Sequence, residues 1–169
     1  MSIASKLIAK PDGVTEVIHQ NTGTHGIIDV IILAMKRNKP YTSKFAEHLR
    51  GADDYETLYN VWHWVHKNIR YKVDKPGFEN VKSPAVTFKD GFADCKSMSI
   101  LVSSLLKNLK IPHVFRFSAY GKGDVTHVYV VALLDDGDVI MDTVVGKFDF
   151  EEPYHHAVQY VESQYYQFI

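Results

Sequence analysis

Between Asp94 and Pro112 the chain places apolar residues at 98, 100, 101, 102, 105, 106 and 109, a helical period broad enough to cover most of a helix's circumference. A helix apolar over most of its surface has to be enclosed by other elements, so this segment sets the centre of any fold the chain adopts. Asp94 stands where an N-cap belongs and Pro112 marks the end. The chain beyond Pro112 is suited to enclosing this helix. His113 to Ser118 alternates, Val125 to Leu134 is rich in Val, and Val139 to Val145 comes after Asp135-Asp136-Gly137-Asp138. These read as three strands, the second and third joined by a hairpin-type turn. Helices come first and strands later, which predicts an α+β fold with an antiparallel sheet packed on the buried helix.

The N-terminal half supplies further helices. Residues Ile27 to Arg37 carry apolar side chains at 27, 28, 31, 32 and 35 and stop at Asn38-Lys39-Pro40, and a short helix is expected over Tyr41 to Leu49. Asp53 and Asp54 can cap a third helix, in which Leu58, Val61, Trp62, Val65 and Ile69 share one face while His63, His66 and Lys67 fall elsewhere. Trp62 reads as core, whereas Trp64 points to a different face and could line a groove. Lys72 to Asp90 holds Pro76, Gly77, Pro84 and several charges without a period, and reads as a long surface loop delivering the buried helix. The aromatic-rich tail from Phe148 to Ile169 is broken by Glu151-Glu152-Pro153, so it is expected to pack back on the body as an irregular or partly helical segment. The reading is one domain over 1–169, with an N-terminal arm and helices (1–52), a core (53–145) and a C-terminal tail (146–169).

Composition narrows the function classes. With 19 Lys and Arg against 20 Asp and Glu, the formal charge is −1, so no net positive field draws the chain to nucleic acid or anionic lipid. The N-terminus does not build the apolar run of a signal peptide before Pro11-Asp12-Gly13. The most apolar stretch, Ile27 to Met35, is about half of the ~20 residues a spanning helix needs. A cytoplasmic protein without a membrane or nucleic-acid partner is expected. A single cysteine cannot close an intrachain disulfide, which agrees with a reducing compartment and leaves that thiol to be explained.

Its position offers an explanation. A thiol in the first turn of a helix lies against unsatisfied N–H groups and the positive end of the helix dipole, an environment that favours thiolate. Cys95 is therefore a candidate nucleophile, and His127, in a strand able to run beside that helix, is the candidate acid and base. Asp142 in the next strand is a candidate to orient the imidazole. A regular hairpin turning at 135–138 would set Asp142 opposite about Val131, some four positions from His127, too far at about 3.3 Å per residue for direct contact. A bulge or a shifted turn would be needed to close that gap. Each residue also has an ordinary reading: a buried small thiol, a satisfied core histidine, a turn aspartate. The His63/His66 pair and His155-His156 lack a supporting ligand cluster, so neither a metal nor a cofactor is expected. Asp135-Asp136-Gly137-Asp138 lacks the later positions of a calcium loop and reads as a turn.

Several blocks together resemble the transglutaminase-like superfamily of papain-type thiol enzymes. Ser83-Pro84-Ala85-Val86-Thr87-Phe88-Lys89-Asp90-Gly91-Phe92-Ala93-Asp94-Cys95-Lys96 is similar to the family's segment leading into its nucleophile. Thr126-His127-Val128-Tyr129-Val130 resembles its histidine strand, and Val139-Ile140-Met141-Asp142-Thr143 its aspartate strand, in the family's order. Val61 to Tyr71, ending in Asn68-Ile69-Arg70-Tyr71, resembles the helix that precedes the nucleophile segment. The likeness runs from about Asp53 to Val145.

The resemblance implies a transglutaminase-like, papain-like fold with Cys95 as nucleophile, His127 as general base and acid, and Asp142 orienting His127. The chain departs from the family pattern at Ala93, where Gly is usual, at Val128-Tyr129, at Thr143 in place of Pro, and at Lys110 in place of Gly. Two function classes are open to such a chain. One is a thiol enzyme acting on an amide or isopeptide bond of a protein or peptide substrate, with water making it a peptidase or amidase and an amine a transglutaminase. The other is a non-catalytic binding or structural module, a component of a larger assembly such as an accessory protein of a phage virion.

Overall fold

The computed structural model describes residues 6–7, 15–19, 29–31, 42–75 and 78–160. Of the helix expected over Ile27 to Arg37 only 29–31 lie among these, and they are helical; residues 42–48 form the expected short helix. Helix α1 (Asp54–Asn68) begins at Asp53, whose side chain accepts from the Glu56 N–H at 2.7 Å. All five of its expected core residues are buried.

Helix α3 (Cys95–Leu109) is the enclosed element its composition calls for, with Ile100, Leu101, Val102, Leu105 and Leu106 fully buried. Asp94 caps it by accepting from the Ser97 N–H at 3.0 Å. Lys110 closes it in the left-handed region at φ 62, the conformation for which a glycine is the usual residue.

A four-stranded antiparallel sheet lies across α3, in the order β7 (Gly137–Met141), β6 (His127–Leu134), β5 (His113–Ala119), β8 (His156–Tyr160). Phe115, Phe117, Val128, Val130, Ala132 and Met141 join α3 in the main core. Val114, Tyr129, Val131 and Ile140 form a second, smaller cluster. There the Tyr129 hydroxyl donates to Glu151 at 2.7 Å, and Arg116 pairs with the same carboxylate. This contact carries the segment after β7 across the sheet and into β8.

Two expectations change. The stretch Lys72 to Asp90 is not one long loop: it holds β3 (Phe78–Lys82) and helix α2 (Pro84–Asp90). Ser83 caps α2 through the Val86 N–H, Pro84 occupies its first turn, and Gly91 ends it at φ 67. Strand β3 pairs antiparallel with β1 (Thr15–His19), a partner far upstream that no local pattern indicates. The tail is irregular over 148–155 as expected, but it then forms a strand: β8 pairs with β5 from Phe115↔Tyr160 to Ala119↔His156, completing the sheet. Its outermost expected residues, 161–169, lie outside the described ones. Two short strands, β2 (Arg70–Tyr71) and β4 (Phe92–Ala93), pair in parallel and lead the chain into Cys95. Among the described residues, no helix is long and apolar enough to cross a membrane.

Candidate active site

The start of α3 is tied to the start of β6. Ser99, one turn after Cys95 on the same helix face, donates from its hydroxyl to the Val128 carbonyl at 2.9 Å. That bond sets the Cys95 end of α3 beside His127, the residue preceding Val128. The thiol lies close enough to the His127 ring to contribute to the raised titration of the imidazole. Cys95 is buried, with the residue as a whole 9% exposed.

Asp142 closes the other side of the ring. The β6–β7 hairpin turns through Asp135 and Asp136 alone, with Gly137 at φ 143, and pairs Val130 with Met141. This tighter turn moves the register by two residues relative to a turn spanning 135–138. One residue beyond the last pair, Asp142 comes level with Tyr129, two positions from His127 instead of four. It also lies just past the end of β7, not within it, where the backbone is free of the ladder. The remaining gap is closed by the side chains, and His127 Nε2 stands 2.7 Å from Asp142 Oδ2.

Because the carboxylate is an acceptor, Nε2 carries the proton, and Nδ1 is left for the thiol. Asp142 is 4% exposed and its second oxygen accepts from the Val144 N–H at 3.0 Å, so it is held by two donors. Burial works against charge on the His127 ring, but hydrogen bonds with Asp142 and Cys95 outweigh it and raise the imidazole from its ordinary 6.5 to about 9. The imidazolium therefore persists through neutral pH.

The raised imidazole affects stability with a definite sign. A group whose folded pKa lies above its unfolded value stabilises the fold fully below the unfolded value and loses that contribution as pH rises through the folded one. The stability gap between the wild type and His127→Gln is therefore expected to be widest below about pH 6.5 and to narrow through about pH 9, by on the order of 2–3 kcal/mol. Urea unfolding of both proteins at the two ends of that range checks it. A gap that stays constant or widens with pH would contradict a charged His127 in the folded state.

Aromatic groups flank the pair. The Tyr120 ring lies 6.0 Å from that of His127, and Tyr129 lies 5.5 Å from it on the other flank of the strand start. Tyr71, at the end of β2 and paired with Ala93, titrates above its ordinary value, first through burial and then through negative charge at Cys95 and Asp94. Trp64 does not line a groove: it packs edge-on against Phe45 at 4.6 Å and stacks on Phe88 at 5.8 Å, filling the seam between α1 and α2.

Beneath the nucleophile lies a buried charge cluster. Lys96 Nζ contacts Asp94, reaches Glu79 at 2.5 Å and Asp74 at 3.6 Å. These three carboxylates converge closely enough to hold a cation, and the lysine ammonium occupies the place between them. Burial opposes its charge, yet the carboxylates more than offset this and hold Lys96 above its ordinary value. A cleft of about 600 Å³ opens beside Ala93 and Asp94, with Lys72, Asp74, Lys82 and Phe92 among its walls.

The comparisons with known proteins bear on the family and the fold. A family profile described as a transglutaminase-like domain matches residues 41–167, three quarters of the chain. The chain belongs to the transglutaminase-like family. Among solved structures it is similar to a candidate protease from Parabacteroides distasonis, at 15% identity and a TM-score of 0.58, over 68% of this chain and 25% of that one. It is also similar to a candidate cysteine protease from Cytophaga hutchinsonii, at 17% identity and a TM-score of 0.50, over 76% of this chain and 48% of that one. At these identities the likeness is one of fold, and the chain spans a quarter to a half of those proteins' length. No curated protein matches it.

Sequence reasoning named the three residues that meet here and missed those that hold them. Tyr71 ends the Asn68-Ile69-Arg70-Tyr71 motif, but nothing in that pattern shows it beside the thiol. Lys96 looks like a surface charge in the sequence; its burial depends on Asp74 and Glu79, which belong to the stretch read as loop.

Proposed function

We propose that this transglutaminase-like protein is a thiol hydrolase that cleaves an amide or isopeptide bond in a protein or peptide. The reading rests on one observation above others: His127 is held at 2.7 Å by a buried Asp142, beside the helix start that carries the chain's single cysteine. In this scheme the Cys95 thiolate attacks the carbonyl carbon, and the negative charge that forms on oxygen faces the N-terminus of α3. The Cys95 N–H, first in the helix and without an intrahelical acceptor, is a donor there. The C–N bond then breaks, His127 delivers its proton to the departing amine, and a thioester remains on Cys95. Neutral His127 takes a proton from water, the resulting hydroxide attacks the thioester, and carboxylate and thiol are released. Asp142 keeps the ring in the tautomer and orientation both steps need.

Hydrolysis is preferred over transfer to an amine because two solved structures of similar fold are described as proteases. An acid quench of the protein with a pool of peptide amides, read by intact-mass spectrometry, is expected to show an acyl adduct on Cys95. Release of that adduct by water alone supports the hydrolase; release only when a primary amine is added makes the protein a transglutaminase. The absence of any adduct with the wild type, or an adduct formed equally well by His127→Ala, overturns the assignment.

A further inference from the structure

Helix α1 contributes no reacting atom, yet two of its side chains grip the backbone that bears Asp142. The Trp62 indole N–H donates to the Asp142 carbonyl at 2.8 Å, and His66 Nδ1 lies 3.0 Å from the Thr143 carbonyl. A carbonyl only accepts, so that ring nitrogen carries the proton and the contact is a donated hydrogen bond. Trp62 and His66 are one turn apart on the same helix face, and their rings stack at 4.9 Å with planes 7° apart. Tyr59 stacks on the indole at 6.4 Å, and Phe148 packs at 5.7 Å, so the donor is held in a single orientation. Two successive carbonyls are thus pinned at the point where β7 has ended and the sheet ladder no longer fixes the chain.

We infer that Trp62 and His66 are positioning residues for the Asp142–His127 pair, acting as a two-donor clamp on the carbonyls of Asp142 and Thr143. The burial of Trp62 alone would be satisfied by any large apolar ring; its N–H and the neighbouring histidine donor are features that packing does not require. With both carbonyls fixed, and with the Val144 N–H holding Oδ1, the only freedom left to the carboxylate is the rotation that presents Oδ2 to His127. Loss of the clamp lets the segment after β7 relax, lengthening the His127–Asp142 bond without touching either residue.

The inference deepens the thiol-enzyme reading, so its test separates the two. The titration of His127 is followed by NMR of the ring Cε1–H in the full-length protein, alongside iodoacetamide alkylation of Cys95. Trp62→Phe keeps the ring and removes the N–H; His66→Phe keeps the stack and removes the donor. The double variant is expected to lower the His127 titration midpoint from about 9 by about one pH unit or more, and to slow alkylation near pH 6.5 about tenfold. His66→Asn, whose side-chain amide nitrogen falls near the position of Nδ1, is expected to restore most of the effect of losing the histidine. A merely structural role would lower thermal stability and leave the midpoint in place. An unchanged His127 midpoint in the folded double variant overturns the clamp, whatever the thiol does. A wild-type thiol that is not activated overturns the enzyme reading, while the His127 midpoint still decides the clamp.

Discussion

Replacing Lys96 by Met is expected to destabilise the protein by about 3–5 kcal/mol near neutral pH, which for a chain of this size is a large part of its total stability. The side chain is 10% exposed, and its ammonium neutralises Asp94 and Glu79 with Asp74 close by. Removing it leaves carboxylates facing one another in a site where Asp94 is 5% exposed. The methionine stem would fill the volume, so the cost is electrostatic and not one of packing. It therefore has a pH signature. The pKa of Lys96 is raised by the fold, so while its carboxylate partners are ionised its contribution is complete below its unfolded value of about 10.5 and is lost as pH rises above that. The deficit of Lys96→Met should shrink on acidification, as the orphaned carboxylates take up protons. Urea unfolding at about pH 7 and about pH 4 measures both quantities. A deficit under about 1 kcal/mol, or one that grows toward low pH, would show that the cluster is not held together by the lysine. Because Asp94 also caps α3, the same substitution is expected to loosen the first turn that carries Cys95.

The parts of this architecture legible in the sequence are those determined by local pattern. The enclosed helix announces itself by apolar residues around most of its circumference, and its N-cap and stop by Asp94 and Pro112. The three central strands and α1 can be read from periodicity in the same way. The elements that could not be read depend on partners distant in sequence. Strand β3 is stabilised by β1 and β8 by β5, and neither Phe78–Lys82 nor His156–Tyr160 carries a clean alternation of its own. Helix α2 is a different case, because Ser83-Pro84 and Gly91 are visible start and stop signals that the surrounding charges outweigh.

The candidate site divides similarly. Cys95, His127 and Asp142 stand out by residue type and order. Whether they can meet turns on the length of the hairpin turn, since a turn of two residues brings Asp142 level with Tyr129 and one spanning 135–138 sets it opposite Val131. The clamp on Asp142 is hidden for a further reason. Trp62 belongs to the apolar face of α1 and is buried with it, so hydrophobic patterning explains its presence completely and gives no sign of the hydrogen bond its nitrogen makes.

The central claim is that His127 and Cys95 form an activated pair, and the rate of iodoacetamide alkylation as a function of pH tests it most directly. An ordinary thiol with a pKa of about 8.5 is only about 1% thiolate at pH 6.5. In the proposed pair an imidazolium beside the sulfur stabilises its ionised form, so alkylation of wild-type Cys95 is expected to persist with little loss down to about pH 6.5. In His127→Ala the rate at that pH is expected to fall about a hundredfold and to recover only as the solution approaches the ordinary thiol range. Asp142→Asn, which keeps the shape and removes the charge, is expected to lie between the two. Since the burial of Cys95 is common to all three proteins, the comparison rests on the pH profiles and not on absolute rates. Profiles that coincide for the wild type and His127→Ala, both rising only near about pH 8.5, would contradict the pair and with it the proposed chemistry.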